Sequence, residues 1–360
     1  MSKTILGPLS IEDWVFTAKA GDTLVLQDGT YPTLHLWGLK GTKKKPITVR
    51  AQHDGEVLID GGYVRPAILL DGCEYVVVQG VNACCARADV VEVVRSDHCT
   101  IRRVCAWDAR MDWNAVIFGC HYGTHNSFID CAAWGTGRKM FSASQGGDHT
   151  TFLRCCAWWD GSTNVGGKGC LTVCYNNIGT RVDKCFFAWR ASRMPAKYKL
   201  MNNGDFYTRR TGAVEEWTTI EQPMSVLCGG TLRNRDTDHA GVLVTNSIFC
   251  VSPDSPGGLV EGVVWIDDMS GVTLRNILAV GGPNDRGLFL NNPDGTYDNL
   301  VADHVTSIGG KADITRGWKV IPGAAKLRLK FPMEKRIKAA CGVSVAAQVK
   351  AVLKAAKGQK

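Results

Sequence analysis

Four aspartates are the first residues that could do chemistry. Asp236 and Asp238 share a loop with His239, and Asp267 and Asp268 follow about one repeat later. If the fold stacks them, mutual repulsion raises at least one carboxyl pKa, or the oxygens hold Ca²⁺. Aspartates also populate tight turns, because they tolerate a left-handed backbone, and that plainer reading is the favoured one. Trp107, Trp134 and Trp158 each close the same short phrase. A column of indoles is either a platform on which glycans stack or an aromatic ladder filling a corner, and the ladder is preferred. His121 with His125, and Cys170 with Cys174, have usable metal-ligand spacing, but no paired CxxC clusters accompany them.

The elements that must position these residues follow from a repeat. TIRRVCAWD ends at Asp108, SFIDCAAW at Trp134, TFLRCCAWWD at Asp160 and RVDKCFFAW at Trp189. TNSIFCV, LRNILAV and ADHVTSI continue the series to Ile308. The recurrence distance of about 24 to 31 residues is that of stacked repeats. Alternation within each phrase has period two, so the units are strands. Units this short cannot bury an apolar face alone and must stack into one core. The sequence therefore predicts an all-β solenoid of short parallel strands, a β-helix. Val76–Val78, Val90–Val94 and Val116–Phe118 are runs of strand length, with Gly29, Gly55, Gly61 and Gly72 supplying turns.

Three regions are expected: a cap over 1–20, the β-helix over 21–312, and a basic extension over 313–360. Ile11, Trp14, Val15 and Phe16 are available to cover the first coil. The repeat lapses at about 190–223, an insertion of the kind that projects from one face of a solenoid. Of the 15 cysteines, Cys105, Cys131, Cys155, Cys156, Cys185 and Cys250 fall within the repeated phrase, which reads as reduced core thiols. No apolar run is long enough to span a bilayer, and the N-terminus lacks the pattern of a signal peptide, so synthesis in the cytoplasm is expected. Phosphate loops and nucleophile motifs are absent from any usable strand–helix context.

The net charge of +8 is distributed unevenly. Arg316–Lys360 holds twelve Lys or Arg against Glu334 alone, leaving the rest of the chain slightly acidic. Pro322 and Pro332 break the first half of this segment. Beyond them, Ser344 reads as the N-cap of a helix with Val345, Val349, Val352 and Leu353 on one side, ending at Gly358. Lys350, Lys354 and Lys357 face away, either to solvent above a capped last coil or toward an acidic partner or neighbouring subunit; nucleic acid is less favoured.

GDTLVLQDGTYPTLHLWG at 21–38 and KKKPITVRAQHDGEVLIDGG at 43–62 resemble the opening coils of right-handed parallel β-helix proteins of the pectate-lyase-like superfamily. That resemblance implies the fold and is nearly silent on activity. Lyases of this group use Lys or Arg to take the proton beside a uronate carboxylate, with Ca²⁺ or a cationic side chain neutralising it. Lys168, Lys184, Arg190 and Arg193 are the candidates here, with Asp160 and Asp183 as nearby acids. The aspartate pair resembles that of polygalacturonase-like hydrolases, but their Asn-Thr-Asp, Gly-His-Gly and Arg-Ile-Lys motifs are missing. The favoured expectation is a non-catalytic structural or glycan-recognition protein without a cofactor, part of a homo-oligomer such as a trimer or of a larger assembly such as a bacteriophage virion. The alternative is a lyase or hydrolase acting on an acidic polysaccharide. An enzyme would bring acids from several coils together with a Lys or Arg in one groove.

Overall fold

In the computed structural model the phrases form the strands of two ladders, and the stretches between phrases supply the strands of a third. The structure describes residues 3–6, 11–109, 115–159, 170–189, 225–229, 240–251, 262–267, 269–282, 286–292 and 295–358. A first ladder runs from Thr23–Leu26 through Ile47–Ala51, Val76–Gln79, Thr100–Arg102, Ser127–Ile129 and Thr151–Leu153 to Leu243–Thr245, all parallel. A second ladder includes Val57–Asp60, Asn82–Ala86, Cys105–Ala109, Ala132–Trp134, Cys156–Trp159 and Phe186–Trp189. The third contains ten strands among the described residues, including Val91–Val94, Val116–His121 and Lys139–Ser144. First and second ladders merge at Thr273–Val280 and Leu300–Ile308, which run through the corner and pair on both sides of it. The expected parallel β-helix is thus the observed fold.

Registers follow the repeat: Thr100 sits between Val77 and Ser127, and Phe118 between Val91 and Phe141. Inward rows are Val, Ile, Leu, Phe and Cys, with Phe118 stacked on Phe141 at 4.8 Å between ring centroids. At the bend between the first and second ladders each coil puts one residue at positive φ, among them Arg103, Asp130, Arg154, Lys184, Asn246 and Asn276. The residues after some of these corners explain several cysteines. Cys131, Cys155 and Cys185 each donate their thiol to a carbonyl of the coil below, at 3.3–3.5 Å, satisfying a buried acceptor. The six repeat cysteines are free and buried, and no disulfide occurs among the described residues. Burial pushes up the thiols of Cys105, Cys131, Cys155, Cys156 and Cys250, to about 12 for Cys105 and Cys250, so these are inert packing groups.

At the N-terminus Lys3–Leu6 pairs with Thr23–Leu26, and helix α1 (Ile11–Thr17) buries Ile11, Trp14 and Val15. Phe16 instead faces solvent, edge-on to Trp37, because a short helical lid presents only one side to the coil.

The basic extension first adds the strand Trp318–Ile321 to the end of the first ladder, parallel to Leu300–Ile308, with Trp318 buried in the core. It then runs back along the outside of the second ladder. Ala325, Leu327, Leu329 and Phe331 alternate inward against exposed Lys326, Arg328 and Lys330. Helices α2 (Glu334–Cys341) and α3 (Val345–Gly358) then lay Met333, Ile337, Val345 and Val349 onto Cys105, Trp134, Cys156, Trp158 and Phe186. Ser344 is the N-cap as expected, accepting from the Ala347 N–H at 3.1 Å while Glu334 accepts from the Ser344 hydroxyl at 2.6 Å. Arg336 latches the extension to the early coils: its guanidinium donates to Asp54 Oδ1 at 3.0 Å, Asn82 Oδ1 at 2.6 Å and the Arg103 carbonyl at 2.6 Å. Among the described residues no single helix is long and apolar enough to cross a membrane.

Candidate functional site

Period-two alternation along the third ladder sends Val91, Val93, Phe118, Cys120, Phe141 and Ala143 inward. The intervening residues line up outside: Glu92, Gly119 and Ser142 in one row, Val94, His121 and Ser144 in the next. Asp89, just before the strand Val91–Val94, folds over these rows and accepts the Val116 N–H at 2.9 Å. His121 is gripped from both sides, Nε2 at 3.0 Å from Asp89 Oδ2 and Nδ1 at 2.9 Å from Ser144 Oγ. Ser142 Oγ donates to Ser144 Oγ at 3.2 Å. Gly119 leaves the space for this: a side chain there would run into Asp89 Oδ2 and into His121 Nε2. With Lys139, Tyr122 and Gln145 these groups line an open pocket of about 240 Å³.

The pocket's electrostatics follow from burial beside like charge. Glu92 is pushed up to about 7, first by desolvation and then by the Asp89 carboxylate, with His121 acting in the opposite sense. Burial of His121 works against its charge. The hydrogen bond and charge of Asp89, helped by Glu92, outweigh that and hold the imidazole above its ordinary value, although Lys139 opposes them. The side chains of Asp89 and His121 are only 9% and 15% exposed, so solvent screens the pair weakly. A carboxyl that changes charge near neutrality and an imidazole held above its ordinary value, beside a lysine, can exchange protons with a bound molecule. Tyr122, 60% exposed and donating its hydroxyl to Gln145 Oε1 at 2.7 Å, offers a ring face at the rim.

The residues singled out from sequence have other places. Asp236, Asp238, Asp268, His239, Lys168, Asp160, Arg190 and Arg193, and the insertion at about 190–223, lie outside the described residues. Asp267 accepts from Asn291 at 2.7 Å. Asp183 takes bonds from Thr245 at 2.7 Å and Asn246 at 2.8 Å beside Lys184, within the corner between the first and second ladders. Burial would raise its pKa, but these donors overcome that and lower it. His121 and His125 do not share a partner set: His125 stacks between His98 and His149, with centroids 4.9 and 4.6 Å away. Cys170 and Cys174 sit four apart on one strand, about 13 Å, too far to share an ion. Trp107 and Trp134 do stack, at 5.0 Å and 7°. The extension covers the column, however, with Trp158 wholly buried and donating its indole N–H to Gln348, so a sugar would have to displace the tail. Lys350, Lys354 and Lys357 are exposed on α3.

Sequence reading passed over Asp89, Glu92, Lys139 and Ser144. The available signal was the position of Glu92, Gly119/His121 and Ser142/Ser144 on the non-core phase of strands one coil apart.

Comparison with known proteins agrees with the fold. A profile of the chondroitinase B family matches residues 9–90, the opening coils only. Pectate lyase Pel9A superposes with a TM-score of 0.60 at 13% identity, covering 88% of this chain and 78% of the lyase. An alginate lyase from Paenibacillus sp. str. FPU-7 superposes with a TM-score of 0.53 at 10% identity, covering 89% and 98%. No curated protein matches the chain. The chain therefore has the parallel β-helix fold of these polysaccharide lyases, and the resemblance read from residues 21–62 holds at that level.

Proposed function

We propose that this protein is a carbohydrate-active enzyme that cleaves an acidic polysaccharide by β-elimination, with its proton chemistry in the pocket of the third ladder. One observation carries this reading: Asp89 and Glu92, His121, and Lys139 with Ser144, from three successive coils, converge on one opening. Elimination beside a uronate carboxylate needs positive charge to neutralise that carboxylate, a base for the adjacent C–H proton, and an acid for the departing glycosidic oxygen. Lys139 and the Asp89-supported imidazolium of His121 supply the charge. Glu92, pushed up to about 7, is a stronger base than an ordinary glutamate and, once protonated, an acid for the leaving oxygen. Tyr122 offers a stacking face to a sugar ring.

The test is incubation with polyuronates and glycosaminoglycans, following the ultraviolet absorbance of new unsaturated ends. Wild type should generate them, and Glu92→Gln should lower the rate by about 10²–10⁴-fold, the usual weight of general acid–base catalysis. Unchanged turnover in Glu92→Gln would overturn the assignment. The hydrogen-bonded run Asp89–His121–Ser144 favours a second reading, hydrolysis of esters on such a polymer, with Ser144 as nucleophile. Acid release without new chain ends would distinguish it. The scaffold role in a homo-oligomer or virion that the sequence favoured draws support from the solenoid itself and from exposed Lys350, Lys354 and Lys357.

A further inference from the structure

A second polar cluster sits on the second ladder, apart from the pocket. Asp60 ends the strand Val57–Asp60, and its register partner on the next coil is Cys84. Cys84 and Cys85 are consecutive in Asn82–Ala86, where a regular strand would point them to opposite faces. Cys85 breaks that rule with a left-handed backbone, φ +60°. Both Sγ atoms and a carboxylate oxygen of Asp60 consequently lie within 4.8 Å of one another. Cys84 is buried and Cys85 half-buried, so the group is sheltered yet reachable.

The surroundings set this thiol pair apart from the inert core cysteines. Cys85 is in hydrogen-bond contact with Cys84 and with Tyr63. Asp60 and Asp108 both add negative charge to the pair. The cluster thus combines two sulfurs and a carboxylate in a field that favours a cation. Thiolate ligands select borderline and soft ions over Ca²⁺ or Mg²⁺, and three protein ligands leave a fourth position for water.

We propose that Asp60, Cys84 and Cys85 form a binding site for a thiophilic divalent cation, Zn²⁺ or its analogue Cd²⁺. The site is independent of the pocket on the third ladder and of any activity there.

The full-length protein, reduced and stripped with chelator, would be titrated with Cd²⁺ while following sulfur-to-metal charge-transfer absorbance, then back-titrated with Zn²⁺. One equivalent should bind with the absorbance of two thiolates and release protons as it does so. The double variant Cys84→Ser/Cys85→Ser should lose this absorbance. Asp60→Asn, which leaves both thiols in place, should weaken binding at least as much as loss of a supporting residue does, about 10–100-fold. Circular dichroism checks that each variant is folded. Wild-type absorbance no greater than that of a folded double variant would overturn the proposal, and so would an Asp60→Asn affinity equal to wild type.

Discussion

The second and third ladders share their coils and their inward rows, yet their outer faces differ. Outside the second ladder lie Cys105, Trp134, Cys156, Trp158 and Phe186, covered by the C-terminal extension. Outside the third lie Glu92, His121 and Ser144, gathered around an opening. A strand buried on both sides reads as nearly continuous apolar sequence, as CAWW and FFAW do, whereas VEVV and KMFSAS carry polar residues on the outer phase. Function on this scaffold is thus a property of a flank, decided by whether the chain supplies its own cover.

Removing the cover is the harshest way to break that contrast. Ending the chain after Gly323 exposes the apolar flank, and truncating Trp158 to alanine alone is expected to cost about 3–5 kcal/mol. The shortened protein should bind a hydrophobic dye, self-associate and melt well below wild type. A monomer as stable as the full chain would mean that the extension is not structural cover.

On the open flank the sharper probe is pH. Glu92 has a folded value of about 7, above the ordinary glutamate value of 4.5. Its stabilising contribution is fully present below 4.5 and is lost as pH rises through 7. His121 is also raised, so its contribution too is lost as pH rises through its folded value. Glu92→Gln stays neutral and should match wild type at low pH but exceed it by up to about 3 kcal/mol at pH 8. Denaturant unfolding at both pH values reads this difference.

Gly119→Ala tests the space that the Asp89–His121 contact needs. Overpacking there should cost about 1–3 kcal/mol and drive the pair apart, lowering the His121 pKa in an NMR titration. The smallest effect belongs to the covered flank: Ser344→Ala removes the N-cap of α3 and should cost about 1 kcal/mol.

The coil was legible because stacking demands the same residue types at the same intervals, as Trp107 and Trp134 demonstrate by lying face to face. The helix at the C-terminus was legible from Ser344 and the spacing of its valines. Its destination was not. Pro322 and Pro332 drew notice as breakers, while the alternation of Ala325, Leu327, Leu329 and Phe331 between them marks an extended strip seeking an apolar flank. The pocket was harder still. Asp89 and His121 are 32 residues apart, His121 and Ser144 are 23 apart, and each is unremarkable alone. Only superposing the coils in register brings them together, and Asp89 comes from outside any strand.

The most direct test of the pocket is the ionisation of Glu92 itself, followed by carbon NMR of labelled glutamate carboxyls with Glu92→Gln to assign the signal. A midpoint near 7 that falls when Asp89 is changed to Asn is the predicted result. Titration at the ordinary glutamate value, indifferent to Asp89, would contradict the account.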